Sequence, residues 1–525
     1  MKLFSKLLEA LLFTSSRNAK MTLLKNYFET APNPDRGIAL AALTETLNLP
    51  NVTPAMIKKL IAQKVDPVLF SWSYDFVGDL AETTALMWPS DEKKSEWPRL
   101  EDVYRDVTSV RKKDVPELIS DWLDCLDETG RWALLKLMGG GLRVGVSARL
   151  AKSSLAQFGN VEVAEIEEVW HALDVPFEEL FSWLDGDSER PSMGDRAVFR
   201  PLMLANPISD KDLEQIKPDD YALEWKWDGI RVQLSGNGNE RRLFSRTGDD
   251  ISNSFPEIIE DLKFNGVLDG ELLVVKDKKV APFNNLQQRL NRKKVSDKLI
   301  SEFPGHVRLY DILFDAQEDL RSNNFKYRRS RLEQFVAQNK LQRMDLSELV
   351  EFNVRENLND LHTTCRESGL EGLMLKPWSS SYVAGRPKPG WFKWKRDPLM
   401  IDTVMMYAQR GHGRRSSFYS DFTFGVWRTN DENIELVPVA KAYFGFTDDE
   451  LKELDKWVRN NTIKRFGPVR QVAEGLVIEL AFDSIHLSKR HKSGVAMRFP
   501  RLHRIRWDKP VEEADYLETL EAWIE

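Results

Sequence analysis

The residues best suited to chemistry lie in one short stretch, where a lysine stands between two tryptophans and is followed by an acid, a glycine and an arginine. The stretch reads Glu224-Trp225-Lys226-Trp227-Asp228-Gly229-Ile230-Arg231. A lysine is a nucleophile only as the neutral amine, and aromatic walls and a second cation such as Arg231 favour that form. The carboxylates of Glu224 and Asp228 oppose it unless a substrate, a metal or hydrogen bonds occupy them. The pattern predicts a lysine nucleophile, with a surface ion pair of Lys226 at a charged strand edge as the alternative.

Later segments add acids and further cations. Asp269 and Glu271 are expected on one strand face, as the first half of a divalent-cation site, because Mg²⁺ usually takes one or two carboxylates plus substrate phosphates. Glu371 supplies another acid, and Lys393 and Lys395 share a strand face that could hold phosphate charge. Taken singly, these pieces have other interpretations, since Asp-Gly-Glu is often a turn and paired lysines on a strand are often a solvated face.

As a set, these residues suit nucleotidyl transfer. An attacking amine displaces pyrophosphate from ATP, the metal and the cations absorb the developing charge, and the lysyl-AMP passes its nucleotide onward. The turn Ser245-Arg246-Thr247-Gly248 offers an exposed arginine, and the cationic segment from Arg498 to Lys509 completes the set.

Size and composition bound the elements that must position these groups. A chain of 525 residues should hold roughly two to four domains. Its net charge of −7 argues against a uniformly basic surface, so any nucleic-acid groove must be local. Cys125 and Cys365 match no zinc or CxxC spacing, which favours a reducing cytoplasm. Residues 1–20 have the spacing of an amphipathic helix rather than of a signal peptide, and no apolar run approaches membrane-spanning length.

The first part of the chain, to about Leu184, is predicted to be helical. Apolar residues recur at helical spacing after Pro54, after Pro116 and from Val163 onward. Between the last two lies a glycine run, residues 136–146, which fits neither the P-loop nor the dinucleotide fingerprint. It is interpreted either as a plain turn between helices or as backbone amides that meet a phosphate backbone.

Residues 185–195 are rich in Gly, Ser, Pro and Asp and are predicted to be a linker. Short alternating strands follow, interleaved with the helical patterns 255–262 and 328–338, which indicates an α+β domain. After Asp397-Pro398 more alternating strands predict a small β-barrel. Because the chain ends at Glu525, no additional polymerase, nuclease or interaction domain is expected. The predicted strands are Tyr221–Leu234, Arg242–Ser245, Val267–Val275, Val307–Tyr310, Leu370–Lys376, Trp391–Lys395, Phe422–Trp427 and Leu476–Phe482.

The order of these motifs resembles that of the ATP-dependent DNA ligases over about residues 221–509. The helical part resembles the DNA-binding domain of that family more loosely, mainly through Gly141-Leu142-Arg143-Val144-Gly145-Val146. The chain looks most like the three-domain bacterial ligases. The motifs that carry the resemblance are Lys226-x-Asp228-Gly229-x-Arg231, Ser245-Arg246, Asp269-Gly270-Glu271, Tyr310-Asp311, Glu371-Gly372-Leu373-Met374-x-Lys376, Trp391-x-Lys393-x-Lys395 and Arg506-x-Asp508-Lys509.

The resemblance implies a multidomain fold: an all-α DNA-binding domain (1–190), an α+β adenylation, or nucleotidyltransferase, domain (196–397) and an OB-fold β-barrel (398–525). It implies an enzyme that seals 5′-phosphate/3′-hydroxyl nicks in duplex DNA through lysyl-AMP, in repair, recombination or replication. ATP and Mg²⁺ (or Mn²⁺) would be its cofactors and nicked duplex DNA its partner. We expect a cytoplasmic, bacterial monomer.

The resemblance also implies roles for individual residues. Lys226 would carry AMP, Glu224 would contact the adenine edge, and Tyr310 would stack on the base, with Phe314 as the competing aromatic. The metal would take Glu271 and Glu371. The remaining nucleotide contacts would be Arg231, Arg246 and Glu271 to ribose and phosphate, Lys393 and Lys395 to the α-phosphate, Arg386 to ATP at a spacing one residue longer than usual, and Arg506 and Lys509 to pyrophosphate.

Two basic clusters are candidates for contacts to duplex phosphates, with a solvated face as the alternative for each. Three separate domains are expected to encircle the duplex, because no single region is basic enough to hold it. An RNA ligase or RNA-capping enzyme, or a catalytically silent DNA-binding protein, are the rival functions. The clusters consist of Arg289, Arg292, Lys293 and Lys294, and of Arg410, His412, Arg414 and Arg415.

Overall fold

A computed structural model supplies the fold. The chain divides into two compact units, one of Met1–Phe70 with Asp79–Arg396 and the other of Ser71–Gly78 with Asp397–Glu525. None of the helices in the described residues is both long and apolar enough to cross a membrane. The structure describes residues 1–49, 51–89, 96–192, 196–238, 240–290, 292, 294–353, 355–366, 368–411, 418–430, 433–489 and 491–524.

The amino-terminal part is helical, as its periodicity predicts. Pro54 opens one predicted helix, whose N-cap Thr53 accepts a hydrogen bond from the Met56 amide. The first helix is amphipathic: it buries Phe4 and Leu8 among others and leaves Leu3 and Leu12 exposed. The helices are α1 (Lys2–Phe13), α2 (Arg17–Thr30), α3 (Asp35–Leu43), α4 (Pro54–Ala62), α5 (Pro67–Val77), α6 (Leu80–Met87), α7 (Leu100–Ser109), α8 (Val115–Cys125), α9 (Glu128–Gly139), α10 (Ala148–Gly159), α11 (Val163–Val169) and α12 (Glu178–Asp185).

The glycine run after α9 forms a turn that hydrogen bonds from Lys20 stabilise. Gly140 and Gly145 both have positive φ angles, and Lys20 donates its ammonium protons to the carbonyls of Val144 and Gly145. A side chain at Gly145 would collide with the Lys20 ammonium, at 2.5 Å. Of the linker predicted at residues 185–195, residues 193–195 lie outside the described part.

Two sheets follow in the first unit. One is four-stranded, in the order β1 (Asn206–Pro207), β11 (Phe392–Lys395), β10 (Gly372–Pro377) and β2 (Tyr221–Lys226). The other runs β4 (Glu240–Ser245), β3 (Ile230–Asn237), β5 (Gly266–Lys276), β7 (Gly305–Asp315) and β8 (Glu318–Asp319), with β6 (Lys279–Val280) on β5 and β9 (Met344–Leu346) on β7. The helices of this part are α13 (Asp210–Gln215), α14 (Pro256–Asp261), α15 (Phe283–Gln287), α16 (Asp297–Glu302), α17 (Phe325–Asn339) and α18 (Arg355–Thr364).

The single strand predicted for Tyr221–Leu234 is wrong, because the chain changes sheets at Gly229. β2 ends at Lys226 and pairs with β10, whereas β3 begins at Ile230 and pairs with β4 and β5. A Cβ on Gly229 would lie 2.5 Å from a backbone oxygen of β5, so only glycine allows this close passage. Lys226 consequently lies at the end of its strand, just before the chain enters the other sheet.

The second unit is built on a seven-stranded sheet. Its strands run in the order β14 (Asn433–Ala442), β13 (Tyr419–Asn430), β12 (Leu399–Arg410), β16 (Val469–Val472) and β15 (Thr462–Phe466), while β17 (Val477–Phe482) pairs with β12 and with β20 (Arg501–Arg506). Phe422, Phe424 and Phe482 are fully buried in its core. The other elements are α19 (Asp448–Asn460), β18 (Ser484–Leu487), β19 (Val495–Arg498) and α20 (Leu517–Glu521).

Candidate active site

Lys226 meets Glu371 because their strands are antiparallel neighbours. Lys226 is opposite Gly372 in the β2–β10 register, and the Glu371 amide donates to the Lys226 carbonyl at 2.8 Å. The Lys226 ammonium donates to Glu371 Oε2, and Lys395 pairs with the other carboxylate oxygen. Burial raises the pKa of the Glu371 carboxyl, but Lys226 and Lys395 outweigh burial and hold that pKa below its usual value.

A second carboxylate, Glu271, lies within electrostatic reach of this pair. It stands on β5 opposite Arg231 of β3. Burial and the charges of Glu371 and Asp228 raise the pKa of Glu271 from 4.5 to about 7, against the opposing charges of Lys226 and Arg231. Two carboxylates that repel each other in a partly buried place form a site that a divalent cation would relieve.

Asp269 holds Arg231 and is not available to a metal. Its carboxylate accepts hydrogen bonds from Arg231 NH2 at 2.6 Å, Tyr382 OH at 2.6 Å and Gln233 Nε2 at 3.0 Å. The first half of a cation site that the sequence predicts at Asp269 and Glu271 is therefore wrong for Asp269. Its fully buried oxygens are taken by donors distant in sequence, which a motif does not show.

Glu224 forms a buried ion pair with Lys376 on the same two strands. Lys376 Nζ donates to Glu224 Oε2 at 2.7 Å and lies 4.5 Å from the Tyr310 ring centre. Burial raises the pKa of the Glu224 carboxyl against the pull of Lys376 and Arg329. The other oxygen, Glu224 Oε1, is buried and has no hydrogen-bond partner in the described part of the chain. Arg329 NH1 lies 3.6 Å from that oxygen, beyond hydrogen-bond distance, so Oε1 keeps the capacity to accept a proton from a donor such as an amine on a base edge.

Tyr310, not Phe314, is the aromatic side chain beside these groups. The Tyr310 ring is contacted by Lys376 and, at 5.8 Å, by Arg231. Phe314 lies further along β7, where Arg200 and Arg321 cover its ring at 4.5 and 5.1 Å.

Several cations converge on Lys393. Burial lowers the pKa of the Lys393 ammonium, and the nearby charges of Arg386, Lys395, Arg246 and Lys226 lower it further. Lys393 and Lys395 come from β11, Arg386 from the loop before it and Arg246 from the turn after β4. Such a cluster of like charges favours the binding of an anion with several negative oxygens.

Arg506 and Lys509 belong to the second unit, where both contact the carboxylate of Asp402. The structure therefore does not bring them together with the other site residues within one unit.

Arg289 is a buried structural residue, which makes its predicted DNA contact wrong. Its side chain is 0% exposed and donates to Glu257, to the Ser254 carbonyl and to the Phe303 carbonyl. The basic run in the sequence gives no sign of this partner, because Glu257 lies on a helix distant in the chain. Arg292, Lys294 and Arg410 are exposed, whereas Lys293, His412, Arg414 and Arg415 lie outside the described residues.

Sequence reasoning missed the supports of the site, namely Gln233, Arg329 and Tyr382. Each contacts a site residue that is distant in sequence. Tyr382 donates to Asp269, and Arg329 NH1 lies 3.6 Å from Glu224. No short spacing marks these residues. The described residues contain no group of three or more His, Cys, Asp or Glu placed to hold a metal, so a cation here would rely on Glu271, Glu371 and oxygens from elsewhere.

Comparison with known proteins gives consistent matches. The model of the family "ATP dependent DNA ligase domain" matches residues 202–395, and that of the "ATP dependent DNA ligase C terminal region" matches residues 415–509. A "Probable DNA ligase" of Koribacter versatilis is 33% identical over 414 residues, which cover 74% of this chain and 71% of that protein. "DNA ligase 1" of Korarchaeum cryptofilum is 30% identical over 434 residues, covering 80% and 78%.

A solved structure described as "Pmar-Lig_PreS3" has a similar fold. It matches with a TM-score of 0.61 at 17% identity and covers 96% of this chain and 99% of that one.

Proposed function

Because the chain belongs to the ATP-dependent DNA ligase family, we propose that Lys226 is the residue on which this enzyme carries AMP. The enzyme joins DNA strands, using ATP and forming a phosphodiester bond. The observation that carries the assignment is the position of Lys226 between Glu371 and the cation cluster around Lys393.

In the first step the Lys226 nitrogen attacks the α-phosphorus of ATP. An N–P bond forms, the bond from the α-phosphorus to the bridging oxygen breaks, and pyrophosphate leaves with the electron pair while the lysine loses a proton. Lys393, Lys395 and Arg246 are proposed to hold the phosphates. AMP then passes to the 5′-phosphate of the nick, and the 3′-hydroxyl displaces it.

The two carboxylates Glu271 and Glu371 are proposed to bind Mg²⁺ or Mn²⁺. Such an ion supplies Lewis-acid stabilisation of phosphate charge. The fit rests on the place of Glu271, a buried carboxylate within electrostatic reach of Glu371: burial first, and then the charge of Glu371, raises its pKa to about 7. The Lys226 ammonium pairs with Glu371. An ammonium is not a nucleophile, so Lys226 must leave Glu371 as the neutral amine before it attacks. A cation held by Glu371 would compete with the ammonium for that carboxylate and so favour the neutral amine.

The base and ribose are proposed to lie between Tyr310 and Glu224. The buried Glu224 Oε1 would accept the adenine amino group, and the Tyr310 ring would stack on the base. Arg231, which Asp269 and Tyr382 hold in place, would contact the ribose or phosphate. Arg386 is proposed as a further ATP contact.

Duplex DNA is proposed to contact all three parts, residues 1–190, 196–397 and 398–525, the last with an OB fold. The support is the separation of exposed cations, with Arg292 and Lys294 in one unit and Arg410 in the other. Arg506 and Lys509 would orient pyrophosphate during formation of lysyl-AMP. A monomer in a bacterial cytoplasm is part of the same proposal.

The test is incubation with Mg²⁺ and ATP labelled at the α-phosphate, followed by a denaturing gel. We expect label on the wild type and not on Lys226→Ala, and nicked DNA should release it. Lys263→Ala, at an exposed lysine in the same unit, is the matched control and should be labelled like the wild type. Label that persists in Lys226→Ala would reject the assignment. A wild type that takes up no label would also reject it, once the purified protein has been shown to carry no AMP already.

A further inference from the structure

One buried carboxylate in the second unit holds both cations of the last motif. Arg506 NH1 donates to Asp402 Oδ2 at 3.2 Å, and Lys509 Nζ donates to the same oxygen at 2.7 Å. Asp508 accepts the Nε and NH2 protons of Arg506 at 3.1 and 3.0 Å, and Glu479 lies 3.9 Å from that guanidinium. In this conformation carboxylates already occupy both cations.

The backbone fixes Asp402 in place. It lies on β12 opposite Glu479 of β17, and its amide donates to Asp515 Oδ2 at 2.8 Å. The Asp515 amide donates back to the Asp402 carbonyl at 2.9 Å. The Asp402 side chain is only 11% exposed, and its Oδ1 has no hydrogen-bond partner in the described chain.

If both cations left, Asp402 would become a buried carboxylate without a compensating charge, which is a costly state. A phosphate oxygen accepts hydrogen bonds from the same guanidinium and ammonium donors that a carboxylate does. A phosphate must therefore displace Asp402 before it can bind a donor that Asp402 already engages.

We propose that Asp402 is a positioning residue that competes with the pyrophosphate end of ATP for Arg506 and Lys509 during formation of lysyl-AMP. The inference rests on the function proposed above, in which these two cations orient pyrophosphate. Asp402 keeps the cations paired until a triphosphate displaces it. Sealing of a nick that already carries AMP involves no pyrophosphate, so Asp402 has no influence on that step.

The test measures lysyl-AMP formation by the full chain as a function of the Mg-ATP concentration. In Asp402→Asn the side-chain shape stays while the charge is removed. We expect its KM for ATP to fall roughly 10-fold, the net worth of about one charge-assisted hydrogen bond. Sealing of a pre-adenylated nicked duplex should proceed at the wild-type rate.

Two control variants isolate the charge at this position. Asp402→Glu retains the carboxylate and should keep a KM near that of the wild type. Asp483→Asn is the matched control, because Asp483 pairs at 3.0 Å with Arg501 of the same unit, outside the last motif. Its KM for ATP should be unchanged.

Asp508→Asn keeps the test valid if Asp402→Asn does not fold, which thermal unfolding would reveal. Asp508 is exposed and pairs with Arg506, so removal of the Asp508 charge should lower KM in the same direction by less. A KM that is unchanged or raised in folded Asp402→Asn would overturn the competition. If Asp402→Asn does not fold, an unchanged or raised KM in Asp508→Asn would overturn it instead. If the wild type forms lysyl-AMP while these variants show no fall in KM, the proposed function stands and only this inference fails. A wild type that forms no lysyl-AMP would overturn both.

Discussion

Two Lys–Glu pairs at the neighbouring strands β2 and β10, the second with Glu371 just before β10, differ in how far they are exposed, and this separates a supporting pair from a reactive one. The Glu224–Lys376 pair is buried, with side chains 2% and 1% exposed. The Lys226–Glu371 pair is accessible, with side chains 20% and 24% exposed. The same two residue types therefore occur within a few residues of each other in two environments.

The difference in exposure indicates which lysine can react. A buried pair loses heavily when one partner is removed, so it holds its geometry. A partly exposed pair costs less to break, and Glu371 keeps Lys395 as a partner, so Lys226 can exchange the carboxylate for a substrate. Lys376 is therefore assigned to the support of the base pocket and Lys226 to the attack on phosphorus.

The largest expected effect comes from a change that keeps the accessible ion pair but removes its chemistry. Lys226→Arg retains a cation for Glu371, yet a guanidinium stays protonated and cannot attack. We expect lysyl-AMP formation to fall on the order of 10⁴-fold or more, as for loss of a catalytic nucleophile. A labelling time course measures it, and binding of nicked DNA should be retained. Substantial labelling of this variant would assign the attack to another residue.

Substitution of the lysine in the buried pair tests the same difference through stability. Lys376→Met keeps the volume and leaves Glu224 as a buried charge, so we expect a loss of about 3–5 kcal/mol in the free energy of unfolding. The matched change Lys226→Met in the accessible pair should cost clearly less, because Glu371 keeps Lys395 as a partner. Urea unfolding of both variants measures the difference. Equal losses would mean that burial does not distinguish the pairs.

A smaller effect concerns the carboxylate beside the accessible pair. The pKa of Glu271 is raised to about 7 in the folded chain, so the folded state binds this proton more tightly than the unfolded state does. Its stabilising contribution is complete below pH 4.5 and is lost as the pH rises to about 7. We expect the wild type to lose up to about 3 kcal/mol relative to Glu271→Gln across that window. Unfolding by urea at a series of pH values measures it.

Magnesium provides the control for that pH dependence. If Glu271 and Glu371 hold the cation, Mg²⁺ should stabilise the wild type at pH 8 and stabilise Glu271→Gln less. A wild-type stability that does not change relative to Glu271→Gln between pH 4.5 and 7 would remove the raised pKa from the account.

The sequence was sufficient where a signal is local. Apolar periodicity placed α4 after Pro54 and located the later strands, because burial of one face dictates the pattern. The motif order identified Lys226, Glu371 and Lys393, whose convergence the structure shows.

The sequence was insufficient where the partner is remote. The apolar positions change from odd to even numbers at Gly229, which is compatible with a turn, but the pattern does not reveal that the chain passes from one sheet to another there. Arg289 reads as a surface cation because its partner Glu257 comes from a separate helix. Asp269 reads as a metal ligand until Tyr382, distant in the chain, is seen to donate to it. Periodicity and motifs contain no information about such tertiary partners.

The most direct test of the central claim is to map the site of AMP attachment. The full chain would be incubated with Mg-ATP, digested, and its peptides sequenced by mass spectrometry. We predict AMP on Lys226 alone, with Lys376 unmodified. AMP on Lys376, or on any residue other than Lys226, would contradict it.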